Sequence, residues 1–234
     1  YLEVGDPVGV SFAADGTVTL RRLSASGLSG TVSQDGTKVG ETPFADGAEI
    51  LDVTGEQAVK IFPSRLAGMN LTRENITYYS LNTSGEIDRM ILNDATGDAD
   101  QYGLLTRMET IGEGMNKYWS YTYDVGGVQY SLPAIQTHFP VVSGGIRLVG
   151  DPADPERMYS LTKVEADGIS GNQLRAGSRR YTIADQVIVY EYRDNQYFLS
   201  TLDRVQELGL DLTGWYDRPE REGGRIRIIV GREA

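Results

Sequence analysis

The sequence predicts an all-β fold built from tandem small β-barrel-like units, of oligonucleotide-binding or SH3-like size, with short helical turns. Three observations carry this. Glycine is abundant, at 28, and punctuates runs of β-branched and aromatic residues, with tyrosine alone numbering 14; such runs bounded by turn formers read as strands. Helical periodicity is confined to two short stretches, Phe198 to Leu208 and Pro63 to Leu66. The chain also repeats itself.

The repeat is an ordered set of matches. Val4-Gly5-Asp6-Pro7 returns as Val149-Gly150-Asp151-Pro152, a shift of 145. Gly27-Leu28-Ser29-Gly30 returns as Gly168-Ile169-Ser170-Gly171, a shift of 141, and Ala45-Asp46 as Ala184-Asp185, a shift of 139. The order holds while the shift drifts, as loop insertions and deletions require. Ile50, Leu51 and Val53 align with Val189, Tyr190 and Tyr192. A strand, glycine turn, strand pattern over Ile76 to Leu92, turning at Ser84-Gly85, matches one over Leu212 to Val230, turning at Gly223-Gly224. In that alignment Trp215 and Tyr216 fall where Tyr78 and Tyr79 stand. Arg225 and Arg227 alternate with Ile226 and Ile228, which predicts a last strand with one wet and one buried face.

The repeated piece defines an A-type unit, 24–93 and again 165–234. Between them, 94–164 reads as a different B-type unit with strands near Tyr118 to Tyr123, Val128 to Leu132, Ile146 to Val149 and Met158 to Val164. Residues 1–23 match the end of B. Units of this size bury limited apolar area, and closure into a barrel removes exposed edges.

Charge restricts the partners. With 33 acidic against 22 basic residues the formal net charge is −11, a field that repels phosphate backbones, so no nucleic-acid partner is expected. The basic residues are scattered along the sequence without a basic stripe. No apolar run reaches the roughly 18 residues of a membrane span, and no cysteine is present for a disulfide, a thiolate nucleophile or a thiolate-held metal.

Few constellations suggest chemistry. His138 is the lone histidine; no Gly-x-Ser-x-Gly elbow accompanies it, and its place before Phe139-Pro140 suits a loop. The acidic run Asn93 to Asp100 concentrates oxygen donors, so Asp94, Asp98 and Asp100 are candidate calcium ligands; the competing reading is a solvated turn. Trp119, Tyr121 and Tyr123 alternate on one face of a strand. They form either a platform for a sugar ring or a partner, or a row that packs across strands onto the core. Gly112-x-Gly114 lacks the strand and helix that a phosphate loop needs. Asn-x-Ser/Thr triplets begin at Asn70, Asn75 and Asn82; they are glycan acceptors only in a eukaryotic secreted protein. No cofactor is implied.

The terminal hairpin Gly223-Gly224-Arg225-Ile226-Arg227-Ile228-Ile229-Val230, preceded by Trp215-Tyr216-Asp217, resembles the C-terminal β-repeat regions of S-layer-homology-type surface proteins of anaerobic Gram-positive bacteria. So does Ile91-Leu92-Asn93-Asp94-Ala95-Thr96-Gly97-Asp98 followed by Tyr102-Gly103. The resemblance implies an exported, extracellular, cell-wall-associated protein with tandem β units, whose partners are cell-wall glycans or other surface proteins. It implies no catalytic residue, and the chain shows no S-layer homology module of its own. The leading expectation is a non-catalytic structural or interaction module. Alternatives are a carbohydrate- or ligand-binding module using Trp119, Tyr121 and Tyr123, a hydrolase acting through acidic residues, and a phage tail component.

Overall fold

The computed structural model describes residues 1–25 and 27–234. The protein is all-β, 58% strand and 7% helix. It divides into two compact units: unit 1 is Tyr1–Ala99 with Arg221–Gly223, and unit 2 is Asp100–Glu220 with Gly224–Ala234. No helix is long and apolar enough to cross a membrane among the described residues.

Unit 1 holds β1 (Val8–Phe12), β2 (Val18–Arg22), β3 (Gly30–Thr31), β4 (Lys38–Val39), β5 (Thr42–Thr54), β6 (Gln57–Ile61), β7 (Asn70–Leu71), β8 (Ile76–Leu81) and β9 (Ile87–Asn93). Among the described residues β1 and β2 pair only with each other, and their apolar residues Val10, Phe12, Val18 and Leu20 are exposed. The main sheet runs β4-β5-β9-β8, with β6 also on β5. Ile50, Leu66, Leu71, Ile87, Met90 and Leu92 are fully buried in its core. Leu66 arrives there on a 3-10 turn, Pro63–Leu66, where proline at the first position suits the fixed φ.

Unit 2 holds β10 (Gln101–Ile111), β11 (Tyr118–Val125), β12 (Val128–Ile135), β13 (Gly144–Asp151), β14 (Asp154–Ser160), β15 (Thr162–Ala166), β16 (Gly168–Ser170), β17 (Gln173–Ala176), β18 (Arg179–Arg193), β19 (Gln196–Ser200), β20 (Asp211–Tyr216) and β21 (Ile226–Arg232). One sheet has the order β12-β11-β10-β13-β14. The other has β15-β20-β21-β18-β17-β16, with β19 on β18. The short helix α1 (Leu202–Glu207) is capped by the Thr201 side chain accepting from Arg204 N and buries Val205.

The two units contain the same ladder. β5 runs parallel to β9 through Phe44↔Ile87, Glu49↔Arg89, Ile50↔Met90, Leu51↔Ile91, Asp52↔Leu92 and Val53↔Asn93. β18 runs parallel to β21 through Ile183↔Ile226, Ile188↔Ile228, Val189↔Ile229, Tyr190↔Val230, Glu191↔Gly231 and Tyr192↔Arg232. The offset between copies is 139 at every pair and on both strands, from Phe44 to Ile183 through Asn93 to Arg232. Both ladders also break at the same place, after Phe44 and after Ile183. The hairpin that follows keeps the offset, Thr54↔Gln57 against Arg193↔Gln196.

Elsewhere the copies diverge, and the register corrects the sequence alignment. Opposite Met90 and Ile91 stand Tyr79 and Tyr78, but opposite the equivalent Ile229 and Val230 stand Gly214 and Thr213. Trp215 and Tyr216 therefore occupy the rungs of Ser80 and Leu81, not those of Tyr78 and Tyr79. Likewise Val32 bridges Val39 where Ile169 faces Leu174, so Ile169 corresponds to Val32 and not to Leu28. The third difference is an extension. Val39 faces Thr42 across a tight turn, whereas the equivalent Leu174 faces Tyr181 and the ladder runs on to Ala176↔Arg179, four residues longer.

Three other expectations change. The sheets are open, and their strands stack in a β-solenoid-like manner over about five turns instead of forming tandem barrels. The long strands β5 and β18 explain this: each is interrupted midway and gives its two halves to different hairpins. β21 has no wet face, because residues 226–231 are buried on both sides of the sheet, with Arg227 packed beside Tyr102 and Asp217. Finally, Val149-Gly150-Asp151 ends β13, whereas Val4-Gly5 forms a turn before β1, so these matched tetrapeptides sit in different settings.

Candidate functional site

The aromatic row of β11 is internal. Tyr121 and Tyr123 have no exposed surface. Their alternation aims them into the core with Leu105, Phe139, Ile146 and Met158. The Tyr121 hydroxyl accepts from Phe139 N at 2.8 Å and bonds to Thr137 O at 3.3 Å. The Tyr123 hydroxyl donates to Pro152 O, and its ring stacks on Tyr130. Burial, then the neighbouring Tyr130, Asp151 and Asp154, push the Tyr123 phenol up to about 12. Trp119 is half-buried and stacks on the exposed His138 at 4.6 Å between ring centroids. Tyr121 and Tyr123 thus pack into the core, and of the row Trp119 alone keeps exposed surface.

The acidic run is answered by arginines. Asp98 takes a forked pair of bonds from Arg65, Nε at 2.9 Å and a terminal nitrogen at 3.0 Å. Asp100, its side chain 1% exposed, faces Arg147 at 3.7 Å and Arg218 at 3.3 Å. Asp94 takes the left-handed conformation, φ 45°, that ends the β9 strand. Asp98 and Asp94 belong to unit 1 and Asp100 to unit 2. Among the described residues no three acidic or histidine side chains converge on a metal position. Guanidinium groups thus neutralise Asp98 and Asp100.

Two further motifs resolve into turns. Gly112 and Gly114 lie between β10 and β11. The Asn82 side chain is engaged in the β8–β9 turn, accepting from Ser84 N and Glu86 N and donating to Glu86.

The arrangement with most chemical character lies in unit 2 and was not evident from the sequence. A cleft of about 380 Å³ is lined by Arg179, Arg180, Tyr181 and Thr182 from the start of β18, by Tyr216 from the end of β20, and by the segment reaching Ile226. Tyr181 and Tyr216 stack there with centroids 5.2 Å apart and planes inclined by 18°. Arg179 and Arg180 are exposed. The neighbouring Tyr181 phenol raises the Arg179 guanidinium above its ordinary range. Glu220 also lines the cleft, where its Oε1 accepts from Thr182 N at 2.7 Å. Gly177 N donates to Asp167 at 2.6 Å, fixing the tip of the hairpin that carries the two arginines.

The cleft depends on the divergence between the copies. Arg179 and Arg180 belong to the hairpin extension that the first copy lacks, and Tyr181 and Tyr216 replace Thr42 and Leu81. In sequence Arg179 and Arg180 lie far from Arg218 and Arg225, and the fold brings the segment between β20 and β21 beside the start of β18. The available signal was the Arg179-Arg180-Tyr181 run in a strongly acidic chain. Comparison of the chain with protein families, curated proteins and solved structures returns no match.

Proposed function

We propose that the chain is a non-catalytic structural or interaction module of an exported bacterial cell-surface protein. The observation that carries this reading is the duplicated ladder, with one offset of 139 at every parallel pair. Repeating a β unit extends a scaffold while keeping the local packing of each copy. The disposition of acids supports the same reading. Asp52, Asp98, Glu191 and Asp217 are each held by hydrogen bonds from backbone, hydroxyl or arginine groups that lock strands and loops together. The net charge of −11 favours a soluble surface. In this proposal the segments are 1–23, 24–93, 94–164 and 165–234, alternating B-type and A-type, and the resemblance to S-layer-homology-type proteins supplies the wall location. Fractionation of the source cells, probed with an antibody to this chain, tests it. Recovery with the wall is expected, and recovery with the cytosol contradicts the surface assignment.

A second reading, a carbohydrate- or ligand-binding module, draws its support from the Arg179, Arg180, Tyr181 and Tyr216 cleft and no longer from β11.

A further inference from the structure

We infer that the cleft of unit 2 binds a small carboxylated saccharide, an inference that rests on the ligand-binding reading and gives it a ligand class. Its volume of about 380 Å³ lies within the range of small-molecule sites, about 300–1,000 Å³, and suits a few linked rings at most. Three kinds of lining group match three parts of such a ligand. The exposed guanidinium groups of Arg179 and Arg180 offer planar, forked donors, the geometry that carboxylates accept bidentately. The stacked Tyr181 and Tyr216 rings give an apolar wall with phenol groups, against which the carbon face of a sugar ring can lie. Glu220 is an acceptor for ligand hydroxyls.

Shape and charge together set the choice among anions. Arg179, Arg180, Arg218 and Arg225 line the cleft against the single acid Glu220, so an anion is attracted locally while the chain as a whole carries −11. Inorganic phosphate has no carbon face to lay against the tyrosine wall, and an extended polyanion meets the chain's repulsion beyond the cleft, whereas a singly charged carboxylate on a neutral ring satisfies both. The comparison between copies supports a dedicated site. The four-residue hairpin extension that carries Arg179 and Arg180 is present in one copy only, in a ladder otherwise reproduced pair for pair.

Isothermal titration of the full chain with galacturonate, which carries one carboxylate, its neutral counterpart galactose, and inorganic phosphate tests the inference. Galacturonate is expected to bind, and the double variant Arg179→Ala, Arg180→Ala to weaken it at least tenfold with an unchanged circular dichroism spectrum. If that variant does not fold, Arg180→Gln takes its place, with an expected loss of at least threefold. Affinity unchanged in the variant overturns the inference, as does phosphate binding as tightly as the sugar acid. Binding of galactose alone overturns it while leaving the ligand-binding reading in place. No binding of any of the three overturns both.

Discussion

Asp52 and Glu191 occupy the same rung of the two ladders, and each is a buried acid with different partners. Asp52 accepts from Ala95 N at 3.0 Å and Thr96 N at 2.8 Å, closing the loop after β9. Glu191 accepts from Arg204 Nε and Ser200 Oγ, both at 2.6 Å, tying α1 and β19 to β18. The arginine bond, then the serine bond, hold the Glu191 carboxyl below its ordinary range. Replacing Asp52 by Ala strands two buried N–H donors, and urea denaturation is expected to show a loss of about 2–3 kcal/mol. Tyr123 gives a pH signature. Its phenol rises from 10.0 to about 12 on folding. The folded state therefore keeps a proton that the unfolded chain releases, and the stability it contributes is whole below pH 10 and lost between pH 10 and 12. Tyr123→Phe should cost about 1 kcal/mol at neutral pH and flatten the alkaline loss, measured by urea titration at several pH values. At this scale the sequence was least informative. An alternating aromatic row is the same string whether it faces solvent or core, and only the strand's neighbours decide.

Strands announced themselves by composition and turns, but not all equally. β11, β12 and β13 lie where β-branched and aromatic runs predicted them. β10, the central strand of its sheet, was missed because Gln101 to Ile111 mixes charged and apolar residues without clean alternation. Its first half is buried and its second half exposed, so no single period runs through it. The helical stretch from Phe198 shrank to Leu202–Glu207 because Phe198 to Ser200 belong to β19. The turn between β18 and β19 holds Asp194 and Asn195 at φ 53° and 60°, the left-handed pair of a type I′ hairpin. A β-branched residue is disfavoured there, and Asn195→Val is expected to cost about 1–2 kcal/mol by urea denaturation. The same substitution at the exposed Thr201 should report loss of the helix cap instead, about 1 kcal/mol.

At the scale of the molecule, the duplicated ladder unites two environments that differ. Leu51 is 42% exposed, while its counterpart Tyr190 is 1% exposed, packed with Tyr102, Leu104 and Trp215 and hydrogen-bonded to Asp124 at 2.7 Å. In unit 2 the β10 sheet and the second ladder therefore share one core, joined also by Tyr102 donating to Asp217 at 3.0 Å. Sequence matches could expose the repetition, since Ala45-Asp46 and Ala184-Asp185 fall in the interrupted stretch at the right offset. They could not expose this sharing, because contacts between different segments leave no internal similarity behind. The all-β class was legible; open sheets in place of barrels were not, since closure depends on how the ends of β5 and β18 pair. Solution NMR measures the central claim directly. Amide and α-proton cross-peaks characteristic of parallel strands should link 49–53 with 89–93, and 188–192 with 228–232, at one common offset. Antiparallel or shifted pairing of β18 with β21 would contradict the account.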